Sequence, residues 1–185
     1  MDASGERWET REFEGCDFAE AYLVDLVTVG CSFVDCDFTG TDLTGSRHER
    51  TAFVTANFAE TRLFSATFVG CKFAGSVFDR VGTRGIRLEG GDFGSVSFGR
   101  TALPGQDLSG ARLSGANLVD TDLTGCDLSG ADLRGVRFGH TVLRDVDLRG
   151  ARIDSLDPRV NDLAGARVDV EHAIMFAAAF GVVIG

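Results

Sequence analysis

Every fifth residue from Phe13 to Val168 is a large apolar side chain, with four exceptions and no insertion in the register. Of these 32 positions, 26 are Leu or Phe, two are Ile153 and Val168, and the exceptions are Thr28, His48, Thr83 and Pro158. An α-helix repeats every 3.6 residues and a flat strand every two, so neither accounts for a sustained period of five. Such a chain turns a corner at each pentapeptide and winds into a solenoid.

Two residues before each centre lies a second, smaller inward position, occupied for example by Cys31, Thr41, Ala56, Ser76 and Ala131. The choice of centre shows how many sides close one turn. At a spacing of 20 the centres read Phe13, Phe33, Phe53, Phe73, Phe93, then Leu113, Leu133 and Ile153. A second series reads Phe18, Phe38, Phe58, Phe78 and Phe98, and a third Leu23, Leu43, Leu63, Thr83, Leu103 and onward. Like residues stack when four pentapeptides make one coil, which predicts a four-sided shaft of about eight coils. No coil buries its own Leu and Phe; stacking at ~4.8 Å makes the core continuous over a rod of ~38 Å. The Phe-rich N-terminal half predicts a wider core than the Leu-rich half, with Val136, Val146 and Leu156 in the small slot as compensation.

This unit, plainest in GADLRG at 130–135 and GANLVD at 115–120, resembles the pentapeptide repeat family. The resemblance covers about residues 11–168 and implies an all-β solenoid, a right-handed quadrilateral β-helix. It divides the chain into an acidic N-terminal extension (1–10), the repeat shaft (11–168) and a C-terminal capping and dimerisation segment (169–185).

Composition excludes several function classes. No apolar run approaches the ~20 residues of a membrane span, and the first 12 residues are acidic, unlike a signal peptide; the expectation is a cytoplasmic protein with no membrane partner. The five cysteines, Cys16, Cys31, Cys36, Cys71 and Cys126, all fall in the small inward slot, with no CxxC pair. They read as core thiols rather than as metal ligands. His48, His140 and His172 lie on different coils, and no phosphate-binding loop, dinucleotide fingerprint or HExxH is present. We expect no catalytic residue, no cofactor and no metal; His48 reads as an accommodated core or edge position.

After the last coil the period changes. Asp169 is a candidate N-cap, Val170, Ala173, Ile174, Ala177 and Phe180 follow at helical spacing, and Gly181 is a C-terminal stop. A short helix is therefore expected to cover the open end of the shaft with that stripe. Met175 and Phe176 lie off the stripe and an apolar tail, Val182, Val183 and Ile184, follows. The surplus predicts a homodimer through the C-terminus, with Ile174, Met175, Phe176, Phe180 and Val182 at the interface.

The net charge of −10 is unevenly spread: residues 1–45 carry 11 acids against Arg7 and Arg11, and residues 101–185 carry 12 acids against eight bases. Residues 20 apart stack, so Asp107, Asp127 and Asp147 form one column and Asp17 and Asp37 begin another. An Asp before each centre also suits local capping of backbone N–H groups. A rod with longitudinal carboxylates matches the charge of duplex DNA, which carries one negative charge per ~1.7 Å of axis.

The segment GARVDVEHAIMFAAAFG at 165–181, with the break at Pro158, resembles the mycobacterial fluoroquinolone-resistance branch of the family. The lack of projecting loops sets the chain apart from the plasmid-borne branch. The resemblance implies a C-terminally joined dimer that mimics DNA, binds and inhibits DNA gyrase, protects it from fluoroquinolones, and itself binds no nucleic acid. The gyrase-binding acidic surface is then assigned to Asp107, Asp127, Asp147, Asp120, Asp122 and Asp132, on a surface interrupted by Arg134, Arg137, Arg144, Arg149 and Arg152. The competing reading is an interaction scaffold for another basic protein.

Overall fold

A computed structural model of the chain describes residues 1–183. Each pentapeptide presents its small and large residues to the interior and turns at the fifth residue, where the backbone is left-handed except at Ser155 and Val160. Gly45 shows why some of these corners are glycine: a Cβ there would collide with the Asp25 carboxylate one coil below. Pairing between coils is parallel throughout and advances by 20 residues except at Asp107, which lies opposite Glu89. Where the bonds are regular enough, short strands result: β1 (Arg7–Glu9), β2 (Glu12–Glu14), β3 (Val27–Val29), β4 (Ser32–Val34), β5 (Arg47–Glu49), β6 (Ala52–Val54), β7 (Thr67–Val69), β8 (Arg87–Glu89), β9 (Asp132–Leu133) and β10 (Arg152–Ile153). They form three sheets, β1-β3-β5-β7-β8, β2-β4-β6 and β10-β9.

We number the four sides by their centres. Side 1 carries Ala3 to Leu163, side 2 Trp8 to Val168, side 3 Phe13 to Ile153 and side 4 Phe18 to Pro158. Sides 3 and 4 build two phenylalanine ladders in the N-terminal half. Rings stack along each side, as in Phe33–Phe53 at 5.1 Å and Phe38–Phe58 at 5.0 Å, and meet edge to face across the corner, as in Phe33–Phe38 at 5.4 Å. Both are favoured aromatic geometries. Val136, Val146 and Leu156 are buried in the Leu-rich half, filling the small slot as expected.

The small slot also explains its polar members. Thr41 Oγ1 donates to Phe18 O at 2.7 Å, Thr61 to Phe38 O at 2.8 Å and Ser76 to Phe53 O at 2.9 Å. Cys31, Cys36, Cys71 and Cys126 direct Sγ at the same carbonyl 23 residues earlier. Burial raises the Cys71 and Cys126 thiols to about 11. Thr28 and His48, two exceptions in the apolar register, are vertical neighbours: His48 Nδ1 lies 2.7 Å from Thr28 Oγ1 and Nε2 3.0 Å from Ser46 Oγ. The His48 ring stacks on Phe68 at 4.7 Å, inside the core.

Three expectations change. The shaft does not begin at residue 11. Asp2 pairs with Tyr22, β1 pairs with β3, and Ala3 and Trp8 are buried, so residues 1–10 are the first two sides of the first coil. Trp8 closes that end. Its indole packs on Phe13 at 5.1 Å, donates from Nε1 to Glu6 at 2.6 Å and lies under the Arg11 guanidinium at 5.5 Å. At the other end about seven turns are regular rather than eight. The step from Arg137 to Asp157 forms no rung, and His140 N–H pairs with Val160 O, one residue beyond the register, at Pro158, whose ring restricts the backbone of Asp157 before it.

The third change concerns the face of α1 (Val170–Ala179). Phe176 packs against the core, and His172, Met175, Phe176 and Ala179 are half-buried toward the last coil. Ile174 and Phe180, from the stripe expected to cap, are 46% and 63% exposed. His172 Nε2 fixes the helix phase on Ala151 O at 3.1 Å. Asp169 is the N-cap residue, but its carboxylate accepts Gly150 N–H instead of capping α1. Gly181 ends the helix at φ 76°, its N–H bonded to Ala178 O. Ile184, named above in the tail, lies outside the described residues.

Candidate partner-binding surface

The residue before each centre lies on the outer face, and an Asp or Asn there accepts the N–H two residues later. Asp107 accepts Ser109 N–H at 3.1 Å, Asp122 accepts Thr124 at 2.9 Å and Asp127 accepts Ser129 at 2.8 Å. This short Asx bond ties the carboxylate to the flat of the side and makes the repeat itself the source of its acidity. Residues 107, 127 and 147 are successive rungs on side 2, as the 20-residue spacing requires.

Their electrostatics differ sharply. Asp147 is 5% exposed and accepts Arg149 Nε at 2.9 Å and Nη2 at 2.6 Å, with Arg167 at 3.7 Å. The Arg149 hydrogen bonds hold its pKa at about 2. Asp132, on side 3, is 7% exposed and is held by Arg134 at 2.7 and 2.8 Å and by Arg152 at 3.2 Å, which keep its carboxyl far below the usual range. Both are fork-held ion pairs that present little free charge. Asp120 lies at the corner of sides 4 and 1, 3.5 Å from His140 Nδ1. Asp107, Asp122 and Asp127 have no cation within 4 Å among the described residues. The Ser109 hydroxyl, at 2.7 Å, holds Asp107 below its ordinary pKa.

The six assigned carboxylates therefore do not form one surface. Asp120, Asp122, Asp127 and Asp107 follow one another around sides 1 and 2, whereas Asp132 and Asp147 are neutralised by their own arginines. Asp107 owes its freedom to a slip: its regular neighbour 20 residues earlier is Arg87, but it lies opposite Glu89. Arg137 is also without an acidic partner among the described residues, whereas Arg144 is paired with Asp162 at 2.5 Å.

A larger set of free carboxylates lies at the other end. Of the 11 acids in residues 1–45, Glu9 pairs with Arg7 at 2.6 Å and Asp42 with Arg62 at 3.1 Å; the other nine lack a cation within 4 Å among the described residues. They include Asp17 and Asp37, adjacent rungs on side 4, and Glu12 and Glu14 on side 3. Their charge imbalance is visible in the sequence, but an extension at 1–10 would not place these acids around a coil, as the structure does.

The second exposed feature is apolar. Val170, Ile174, Phe180, Val182 and Val183 are all exposed in the C-terminal segment. Of the residues expected at a dimer interface, Ile174, Phe180 and Val182 are among these, whereas Phe176 packs against the core and Met175 is half-buried. Among the described residues no helix is long and apolar enough to cross a membrane.

Comparison with solved structures places this geometry. Three structures of QnrB1, a plasmid-mediated fluoroquinolone resistance protein, superpose over nearly the whole shaft. One trypsin-treated variant has a TM-score of 0.79 at 23% identity, covering 98% of this chain and 93% of that one. A second trypsin-treated variant gives 0.76 at 25% over 98% and 91%, and the full-length form 0.75 at 23% over 97% and 92%. No curated protein matches the sequence. The family described as Pentapeptide repeats matches in eight copies over residues 12–47, 92–130 and 126–157, more than half of the chain. With the inward slots, left-handed corners and 20-residue ladder all in place, this chain belongs to the pentapeptide repeat family.

Proposed function

We propose that the protein is a DNA mimic that binds and inhibits DNA gyrase and protects it from fluoroquinolones, acting by occupancy rather than as an enzyme. The observation that carries this reading is a straight-sided shaft like that of a fluoroquinolone resistance protein, with carboxylates unpaired at two levels. The resemblance of the C-terminal segment to the mycobacterial protein MfpA points the same way. Its exposed apolar patch supports a homodimer; two rods end to end would span ~76 Å, comparable to about 22 base pairs. Basic grooves that hold duplex DNA would take such a rod through charge and width. Exposed carboxylates contribute to encounter and specificity more than to raw affinity.

Only unpaired acids serve this role. Reversing Asp107 and Asp127 together to Lys is expected to weaken inhibition of purified gyrase supercoiling at least tenfold. Asp132→Asn is expected to change inhibition little. The intact chain failing to inhibit supercoiling at any concentration would sink the proposal. Equal potency of the double reversal would remove side 2 from the contact and leave the nine N-terminal acids as its place.

A further inference from the structure

On two of the four sides the shaft is not zipped. Regular rungs pair each centre N–H with the carbonyl 19 residues on, and the preceding N–H with the carbonyl 21 residues back. Leu63 N–H to Gly82 O at 2.7 Å and Gly82 N–H to Thr61 O at 2.9 Å are examples. Between residues 81–90 and 101–110, on sides 1 and 2, Thr83, Gly85 and Ala102 N–H make no such bond. Side chains stand in. Thr83 Oγ1 donates to Ala102 O at 2.6 Å. Gln106 Oε1 accepts Leu88 N–H at 3.0 Å while its Nε2 donates to Ile86 O at 3.3 Å and Pro104 O at 3.0 Å. The carboxamide thus takes the place of the peptide group at Asp107, which has slid to Glu89. Two adjoining clefts, of about 410 and 450 Å³, open there and share Gly85, Ile86 and Gln106.

Sides 3 and 4 stay closed at the same level. Phe93 N–H bonds Arg112 O at 2.8 Å, Ser95 N–H bonds Ser114 O at 3.0 Å and Phe98 N–H bonds Asn117 O at 2.9 Å. The core changes there too: Phe93 and Phe98 are the last rungs of the two phenyl ladders before Leu113 and Leu118. Stacking loosens on approach, from 5° between Phe38 and Phe58 to 35° between Phe78 and Phe98.

We propose that this level is a joint. The rod opens on sides 1 and 2 about a hinge formed by the bonded sides 3 and 4, and Gln106 is its latch. Two backbone rungs have been exchanged for side-chain bonds that rotate away without moving the main chain. Each half remains a rigid ladder, so opening changes the bend between them rather than the surface of either. The joint follows from the ladder alone and does not depend on the partner.

Hydrogen exchange of the full chain, resolved to single amides, tests it. The amides of Thr83, Leu88, Ala102 and Asp107 are expected to exchange at least tenfold faster than Leu63, Arg62, Leu128 and Asp127 at equivalent rungs. Gln106→Ala is expected to accelerate Leu88 further and to leave residues 21–60 unchanged. In the unmutated latch, spin labels at Arg47 and Asp127 on side 2 are expected to give a broader distance distribution than labels at Asn57 and Arg137 on side 4. Protection at the four joint amides equal to that of their counterparts, or equally narrow distributions on both sides, would overturn the joint.

Discussion

A buried histidine in an otherwise apolar column is stable only as long as it stays neutral. His48 is 1% exposed with both ring nitrogens in hydrogen bonds to hydroxyls, and burial lowers its pKa to about 3 from 6.5. The unfolded chain therefore binds a proton that the folded chain refuses. Stability is full above pH 6.5, falls by about 1.4 kcal/mol per unit as pH drops, and levels near pH 3. Asp147, lowered to about 2, adds its own loss only at lower pH, between its unfolded value near 3.8 and 2. Urea unfolding from pH 7 to 4 is expected to show this slope in the natural chain and to lose most of it in His48→Phe, whose ring continues the stack on Phe68. An unchanged slope in that variant would move the acid sensitivity elsewhere. The exceptions to the register were legible as positions, but that Thr28 and His48 answer one another required the vertical spacing to become a 2.7 Å contact.

The ends are the elements on which the ladder depends, because an open coil offers unpaired backbone and bare core. Trp8 covers the first coil and α1 the last. Trp8→Ala removes the plug and is expected to cost about 3–5 kcal/mol, measured by chemical unfolding. The two faces of α1 separate cap from interface. Phe176→Ala is expected to cost about 2 kcal/mol of stability. Ile174→Glu with Phe180→Glu is expected to leave unfolding unchanged and to shift sedimentation to the monomer. A monomeric natural chain, or a double variant that still dimerises, would detach this patch from dimerisation. Helical periodicity alone ranked Val170, Ala173, Ile174, Ala177 and Phe180 as the buried stripe. It missed that the His172 bond to Ala151 sets the rotation.

At the scale of the whole molecule, charge is a property of neighbours rather than of composition. The chain carries −10, yet Asp132 and Asp147 are neutralised by Arg134 and Arg149 while Asp107, Asp122 and Asp127 are not. Gyrase inhibition is accordingly expected to fall with rising salt, as for any contact dominated by exposed charge; a salt-independent titration would argue for an apolar contact instead. The five-residue period determined the solenoid by itself, because only a four-cornered winding buries one large and one small residue per pentapeptide and stacks like on like at 20. It also placed four of the five cysteines in the core and Asp107 at the foot of its column. The tertiary structure alone decided which carboxylates are free, where the first coil begins, which face of α1 is covered, and where the ladder opens at Gln106. Those depend on contacts between coils, in which a slip of two residues exchanges Arg87 for Glu89 beneath Asp107, and no periodicity along the chain records it.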